Sequence, residues 1–460
     1  MQPAVYQVPE TKSLSVYTKV LLHVLLAIAI QILPILAAVY GILYFVYGVL
    51  KVIQTGNKNN EAAFFAVYLG CFEILIRMSR FVALYEFGKY SVALILFVGM
   101  AVEGGKRRIP LAAIIYFCLL IPSIFVGNYY NFDYFRKSVS FNLSGPFCLM
   151  ISWAYFYYRR FNKPELERLV LQMILPITAV LVVILWKIPT HFNFDYEMES
   201  SKAFSGGFGP NQVSVVLGFG FFVSSLSILL GLKIFNSRFA AFVPPFLFAV
   251  FGIMTFSRGG VLTGIFSLIL SVFVYIRMGR GSRQFSKLFF GMVIFAALSY
   301  FLWGIINIYT NNSVSRRYGN TLKSGKEGAG QSGSYMDRLN IATQDLKAFE
   351  AHPILGNGPE GSHQFRAKNF NTDLAAHTEF TRLLGDHGLF GLVALLILVC
   401  SPYYYYNRRK GDNKIILIGF IAISFLTMFH AAMRLAIPGL AFGLALIDVN
   451  LQDHPLERYG

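Results

Sequence analysis

This 460-residue sequence is short of charge. Only 14% of its residues are Asp, Glu, Lys or Arg, where a soluble domain carries about 25%. Mean hydropathy is +0.55, which excludes an ordinary soluble enzyme. The apolar stretches run from end to end, so one soluble domain on a single anchor is excluded too. The ten-residue alternation of an outer-membrane barrel is absent. Cysteine is scarce as well. Cys71, Cys118, Cys148 and Cys400 all fall in apolar stretches, and no C-x-x-C pair occurs. That speaks against a disulfide framework and against a zinc site. The polar stretch up to about Val16, with Pro3, Pro9 and Glu10, does not read as a cleavable signal peptide.

What is present is apolar sequence in runs long enough to span. A spanning helix needs roughly 20 such residues, and fourteen candidate runs lie between residues 18 and 450. The first two, 18–36 and 37–53, share a break marked by Gln31 and Pro34, so the expected number is twelve to fourteen. The fold class expected is all-α: a polytopic transmembrane helical bundle with a large, partly helical outer loop. Residues 1–308 hold about eleven spans, 309–380 the loop, and 381–460 the remaining spans.

The net charge of +17 could suggest nucleic acid, but its distribution suggests topology. Lys106, Arg107 and Arg108 follow the fourth span; Arg159, Arg160, Lys163 and Arg168 the sixth; Lys233 and Arg238 the eighth. Arg277, Arg280, Arg283 and Lys287 follow the tenth, and Arg408, Arg409, Lys410 and Lys414 the twelfth. All these loops lie on one side. The positive-inside rule puts that side, with both termini, in the cytoplasm. No nucleic-acid partner is implied.

The long outer loop opens with a Gly/Ser-rich stretch, Gly319–Ser334. Next, Met336, Leu339, Ala342, Leu346 and Phe349 recur at helical spacing over 335–351. Ser334 can cap this helix, with Asp337 three residues on. His352-Pro353-Ile354-Leu355-Gly356-Asn357-Gly358 ends it. A second helix is expected to start near Asn371 or Thr372 and run into the twelfth span, 381–401.

Polar residues that the composition does not demand gather on the outer side. Three spans are expected to begin there at unusual sequences: Phe141–Pro146, Ser205–Gln212 and Thr255–Gly260. Helix N-termini offer free N–H groups and a positive dipole end to anions. Arg258 sits in an almost absent loop beside Gly259 and Gly260, where a guanidinium suits a phosphate. An interfacial arginine that snorkels to headgroups is the competing reading. Arg338 lies on the polar face of the loop helix, and Arg434 at the outer end of the last span, 435–450. For both, headgroup or local ion pairing competes with ligand binding. His377 precedes the twelfth span and is a candidate proton carrier. Glu379 beside it reads as a solvated loop charge. The acidic cluster Asp195-Tyr196-Glu197 with Glu199 reads the same way, and no outer D-x-D argues for a metal. Glu73 and Arg77 lie four apart in the third span and can pair on one helix face; Arg80 and Glu86 are nearby.

Taken in order, these residues resemble bacterial O-antigen ligases. His377-Thr378, nine residues, then Gly388-Leu389-Phe390-Gly391 is similar to the family signature of a His, a small polar residue, nine positions and G-x-x-G. Ser257-Arg258-Gly259-Gly260, Arg338 followed by Pro353–Gly358, and the Gly206–Asn211 segment are further similarities. They cover about Lys202 to Leu395. The superfamily includes O-antigen ligases, O-antigen polymerases and exopolysaccharide polymerases.

The resemblance implies a glycosyltransferase of cell-envelope polysaccharide or lipopolysaccharide synthesis. It would sit in the bacterial inner membrane, with its active face periplasmic. The donor would be a glycan on undecaprenyl pyrophosphate, the acceptor a lipid- or glycan-linked sugar hydroxyl. His377 and Arg258 would be catalytic; Arg338, Lys202, Asn211, Ser257 and Arg434 would bind substrate. The diphosphate is already an activated leaving group, so no metal, nucleotide or other cofactor is implied. Two positions depart from the pattern. Thr378 replaces the usual Asn, Ser or Gln, and Lys202 stands where an arginine is usual, keeping the charge but losing the bidentate fork. A polymerase using the same donor therefore stays open as the alternative. A polysaccharide transporter would instead need ionisable groups and broken helices at the bilayer midplane.

Overall fold

The computed structural model describes residues 14–79, 85–104, 108–187, 203–255, 257–279, 300, 304, 335–374 and 376–451. Among them are fifteen α-helices. In chain order these are α1 Val16–Ile32, α2 Ile35–Thr55, α3 Glu61–Met78, α4 Phe87–Val102, α5 Leu111–Cys118, α6 Phe132–Phe156, α7 Lys163–Lys187 and α8 Pro210–Leu229. There follow α9 Arg238–Met254, α10 Arg258–Arg277, α11 Tyr335–Ala351, α12 Gly361–Phe370, α13 Glu379–Arg408, α14 Asp412–Ala431 and α15 Ile437–Leu444. The strands described are two three-residue segments, Arg160–Asn162 and Asp448–Asn450, paired in parallel.

Helix is what this composition must form in lipid, because every backbone N–H and C=O has to be satisfied within its own segment. Six of these helices are long and apolar enough to cross a membrane: α2, α7, α8, the Gly259–Arg277 part of α10, α13 and α14. Val16–Ile32, Phe87–Val102, Leu111–Phe125 and Arg238–Met254 are shorter apolar helices. The protein is thus an all-α polytopic membrane protein. Its outer ring presents large apolar side chains such as Leu43, Phe97, Phe266, Phe273 and Leu396, as lipid contact requires. The break expected near Pro34 is present: α1 ends at Ile32, and Pro34 caps α2.

Helix α8 lies at the centre, and small residues let its neighbour close on it. A Cβ added to Gly218 would come 2.0 Å from the Gly260 carbonyl oxygen, and one on Gly260 would come 2.2 Å from the Ser214 backbone. The backbones of α8 and α10 touch, as small-residue interfaces allow in membranes.

Three expectations are corrected. The sixth helix starts at Phe132, not near 141, so Phe141–Pro146 lies inside it and offers no helix N-terminus. Asn131 caps it by accepting from the Tyr134 N–H. Its polar first turns stay helical because Asp133 pairs with Arg136 and Lys137 on the exposed face. The second loop helix is Gly361–Phe370; Asn371 ends it in the left-handed region, and α13 begins separately at Glu379. The last apolar run, 435–450, forms only the eight-residue α15 before the strand at 448–450. The eleventh expected span, 288–309, apart from residues 300 and 304, lies outside the described residues, as do the Gly319–Ser334 stretch, the cap at Ser334, the Asp195–Glu199 cluster and Lys202.

Candidate functional site

Ser257 sits between α9 and α10, after Thr255 has ended α9. Its hydroxyl donates to Asn211 Oδ1 at 2.7 Å, and its carbonyl accepts from the Ser214 hydroxyl at 2.6 Å. The turn is thereby tied to the first residues of α8. Arg258 is the first residue of α10; its side chain lies outside the described residues. The glycines after it have separate steric reasons. Gly260 permits the crossing with α8, and a Cβ on Gly259 would fall 2.1 Å from the His430 ring.

His430 is the residue that sequence reasoning missed. It stands at the end of α14, 6% exposed. Arg338 Nη1 lies 2.9 Å from its Nδ1, and Ser257 Oγ 3.5 Å from its Nε2. A guanidinium can only donate, so Nδ1 is the acceptor and Nε2 carries the proton. A directed chain results: Arg338 donates to His430, His430 to Ser257, and Ser257 to Asn211. Three predicted residues from three distant segments are brought together by a fourth. The available signal was a lone histidine four residues before Arg434 at the end of an apolar run.

Arg338 reaches this place because α11 is docked on α13. The joint is made by two motifs that looked independent. Gly388 interrupts α13 at φ 61°, ψ −139°, a conformation that strongly favours glycine. The 353–358 segment fills the kink. Leu389 N–H donates to the Pro353 carbonyl at 2.7 Å, Asn357 N–H to Gly385 at 3.1 Å, and Gly358 N–H to Asp386 at 2.9 Å. Cβ atoms on Gly356 or Gly388 would strike the opposite backbone at 2.3 and 2.6 Å. Asp345 of α11 and Arg366 of α12 form a fully buried ion pair, and Thr381 of α13 donates to the same carboxylate at 2.9 Å.

His377 lies just before this joint, half-buried. The next residue explains why a small polar side chain stands there: Thr378 Oγ1 accepts from the Phe380 N–H and caps α13. Arg434 Nη2 donates to the Ala376 carbonyl at 2.9 Å, so it steadies the residue before His377. His377 also stands within electrostatic range of His430. Burial pulls the pKa of Arg338 down. Burial does the same to Arg434, assisted by the positive charges of Arg382, Arg77 and Arg338 and opposed by Tyr85. Both guanidiniums are therefore held where charge is costly. The hydrogen-bond partner of Arg338 is a neutral ring, and its buried Nε has none among the described residues.

Glu379 is not the solvated loop charge expected. It is fully buried, paired with Arg382, and accepts from the Met433 N–H at 3.2 Å. As the first residue of α13 it is folded over the turn between α14 and α15. The pairing of Glu73 with Arg77 is present, at 2.5 Å, and buried.

A model of the O-antigen ligase family matches residues 245–396. The match spans Ser257–Gly260, Arg338, 353–358, His377 and the glycines at 388 and 391, so the resemblance read from those residues is borne out there. Lys202 and the Gly206–Asn211 segment precede it. No curated protein matches the chain.

Proposed function

We propose that this membrane protein of O-antigen ligase type is an inverting glycosyltransferase. It moves a glycan from undecaprenyl pyrophosphate to an acceptor sugar hydroxyl at the periplasmic face of the bacterial inner membrane. The prenyl tail stays in the bilayer while the diphosphate meets cations at the surface. His377 takes the acceptor's proton as its oxygen attacks the anomeric carbon. The bond from that carbon to the diphosphate oxygen breaks on the opposite face. The charge left on the departing lipid diphosphate is met by Arg338, Arg434 and the N-terminus of α10, with Arg258 and Lys202 as further cations.

The observation that carries this reading is the placement of Arg338. A half-buried guanidinium whose partner among the described residues is a neutral imidazole keeps its charge available to an anion. Purified protein in lipid nanodiscs, given the lipid-linked donor and an acceptor without nucleotide or ion gradient, is expected to transfer glycan. Arg338→Ala removes a charge-assisted contact worth about 1.5–3 kcal/mol, so transfer drops roughly ten- to hundredfold. Transfer at the wild-type rate by this variant, or an absolute need for an energy source, would sink the proposal.

A further inference from the structure

The turn between α14 and α15 is strained. Ala432 has φ 52° and ψ −159°, a region essentially reserved for glycine. Such strain persists only where the surroundings over-determine it. Here four charged side chains grip the backbone of three of the next four residues. Glu379 accepts from the Met433 N–H at 3.2 Å, and Lys89 donates to the Met433 carbonyl at 3.4 Å. Arg77 donates to the Arg434 carbonyl at 2.7 Å, and Glu73 accepts from the Ala436 N–H at 2.7 Å. The four come from α3, α4 and α13. The close approach is built in, since a Cβ on Gly145 would meet that of Met433 at 2.5 Å. Arg77 also donates to Gln212 Oε1 at 2.9 Å, beside Asn211 on α8.

Buried charges inside a membrane are costly, and a role in packing alone is served as well by apolar side chains of similar volume. What apolar side chains cannot do is hold backbone N–H and C=O groups of one turn at fixed points. We propose that Glu73, Arg77, Lys89 and Glu379 are positioning residues. Together they hold the strained 432–436 turn so that Arg434 is aimed at Ala376 and the His377 segment is set against Arg338 and Ser257. The proposal rests on the reading of His377 and Arg434 given above. It gives the ion pair on α3, which the transfer chemistry does not use, a task in the same site.

The test combines Arg77→Met and the milder Arg77→Lys with Ala432→Gly, all in the full chain in nanodiscs. Misplacing a reacting group by about 1 Å costs on the order of a hundredfold. Both Arg77 variants are therefore expected to lose kcat by tenfold or more, with a smaller change in KM for the donor. Glycine at 432 removes the strain the frame must overcome, so Ala432→Gly should recover part of the lost kcat in either Arg77 background. It should also raise the thermal midpoint more in the wild type, where the intact frame enforces the strain, than in the Arg77 variants, where the turn can relax. Should Arg77→Met not fold, Arg77→Lys supplies the same comparison. Wild-type kcat in Arg77→Lys, or an identical effect of Ala432→Gly with and without Arg77, would overturn the frame. The thermal comparison needs no substrate. If the wild type transfers no glycan, the function reading falls while the midpoints still decide the frame.

Discussion

Two settings of arginine stand in contrast in this protein. In the interior, Arg77 faces Glu73, Arg366 faces Asp345 and Arg382 faces Glu379. At the candidate site, Arg338 faces the ring of His430. The first arrangement spends the charge within the protein and fixes helix to helix. The second places a cation against a neutral acceptor, which orients the guanidinium without neutralising it. Under the proposed function, the difference separates arginines that hold the fold from Arg338, whose charge is left for an anion. It follows that equivalent alanine substitutions should fail in different ways.

The larger effect on stability belongs to the paired setting. Arg366→Ala strands the Asp345 carboxylate without its partner inside the α11–α12–α13 joint, at a cost of about 3–5 kcal/mol. Thermal unfolding in nanodiscs should show a large drop in midpoint for Arg366→Ala and little change for Arg338→Ala, which loses transfer instead. Equal midpoints for the two variants would erase the comparison. A smaller effect is expected at the helix cap. Thr378→Ala removes the acceptor for the Phe380 N–H and costs about 1 kcal/mol, whereas Thr378→Ser retains the cap. A midpoint for Thr378→Ser as low as that for Thr378→Ala would mean that capping is not the role of this residue.

Much of the candidate site was legible because its motifs are local. Ser257–Gly260, Pro353–Gly358 and Gly388–Gly391 each show turn chemistry in a few adjacent residues, and the apolar runs mark most of the spans. What was not legible depends on distant partners. His430 and Arg338 are 92 residues apart, and nothing local to either names the other. Glu379 looked solvated because its neighbours are polar; only the fold shows the Met433 N–H arriving from 54 residues away. The start of α6 was misplaced because Asp133, Arg136 and Lys137 resemble a loop until their helical spacing is seen to pair them. Likewise, the i, i+4 spacing predicted that Glu73 and Arg77 would pair. It could not predict that both would grip a turn more than 350 residues away in sequence.

The most direct test of the account is His377→Ala, assayed for transfer of glycan from the undecaprenyl-pyrophosphate donor by folded, lipid-embedded protein. General acid–base help contributes roughly 10²–10⁴-fold. The variant should lose that much rate at an unchanged thermal midpoint, and the wild-type rate should fall on the acid side as the imidazole takes up a proton. Folded His377→Ala working at the wild-type rate, or a wild type whose rate does not fall as pH is lowered, would contradict a histidine base.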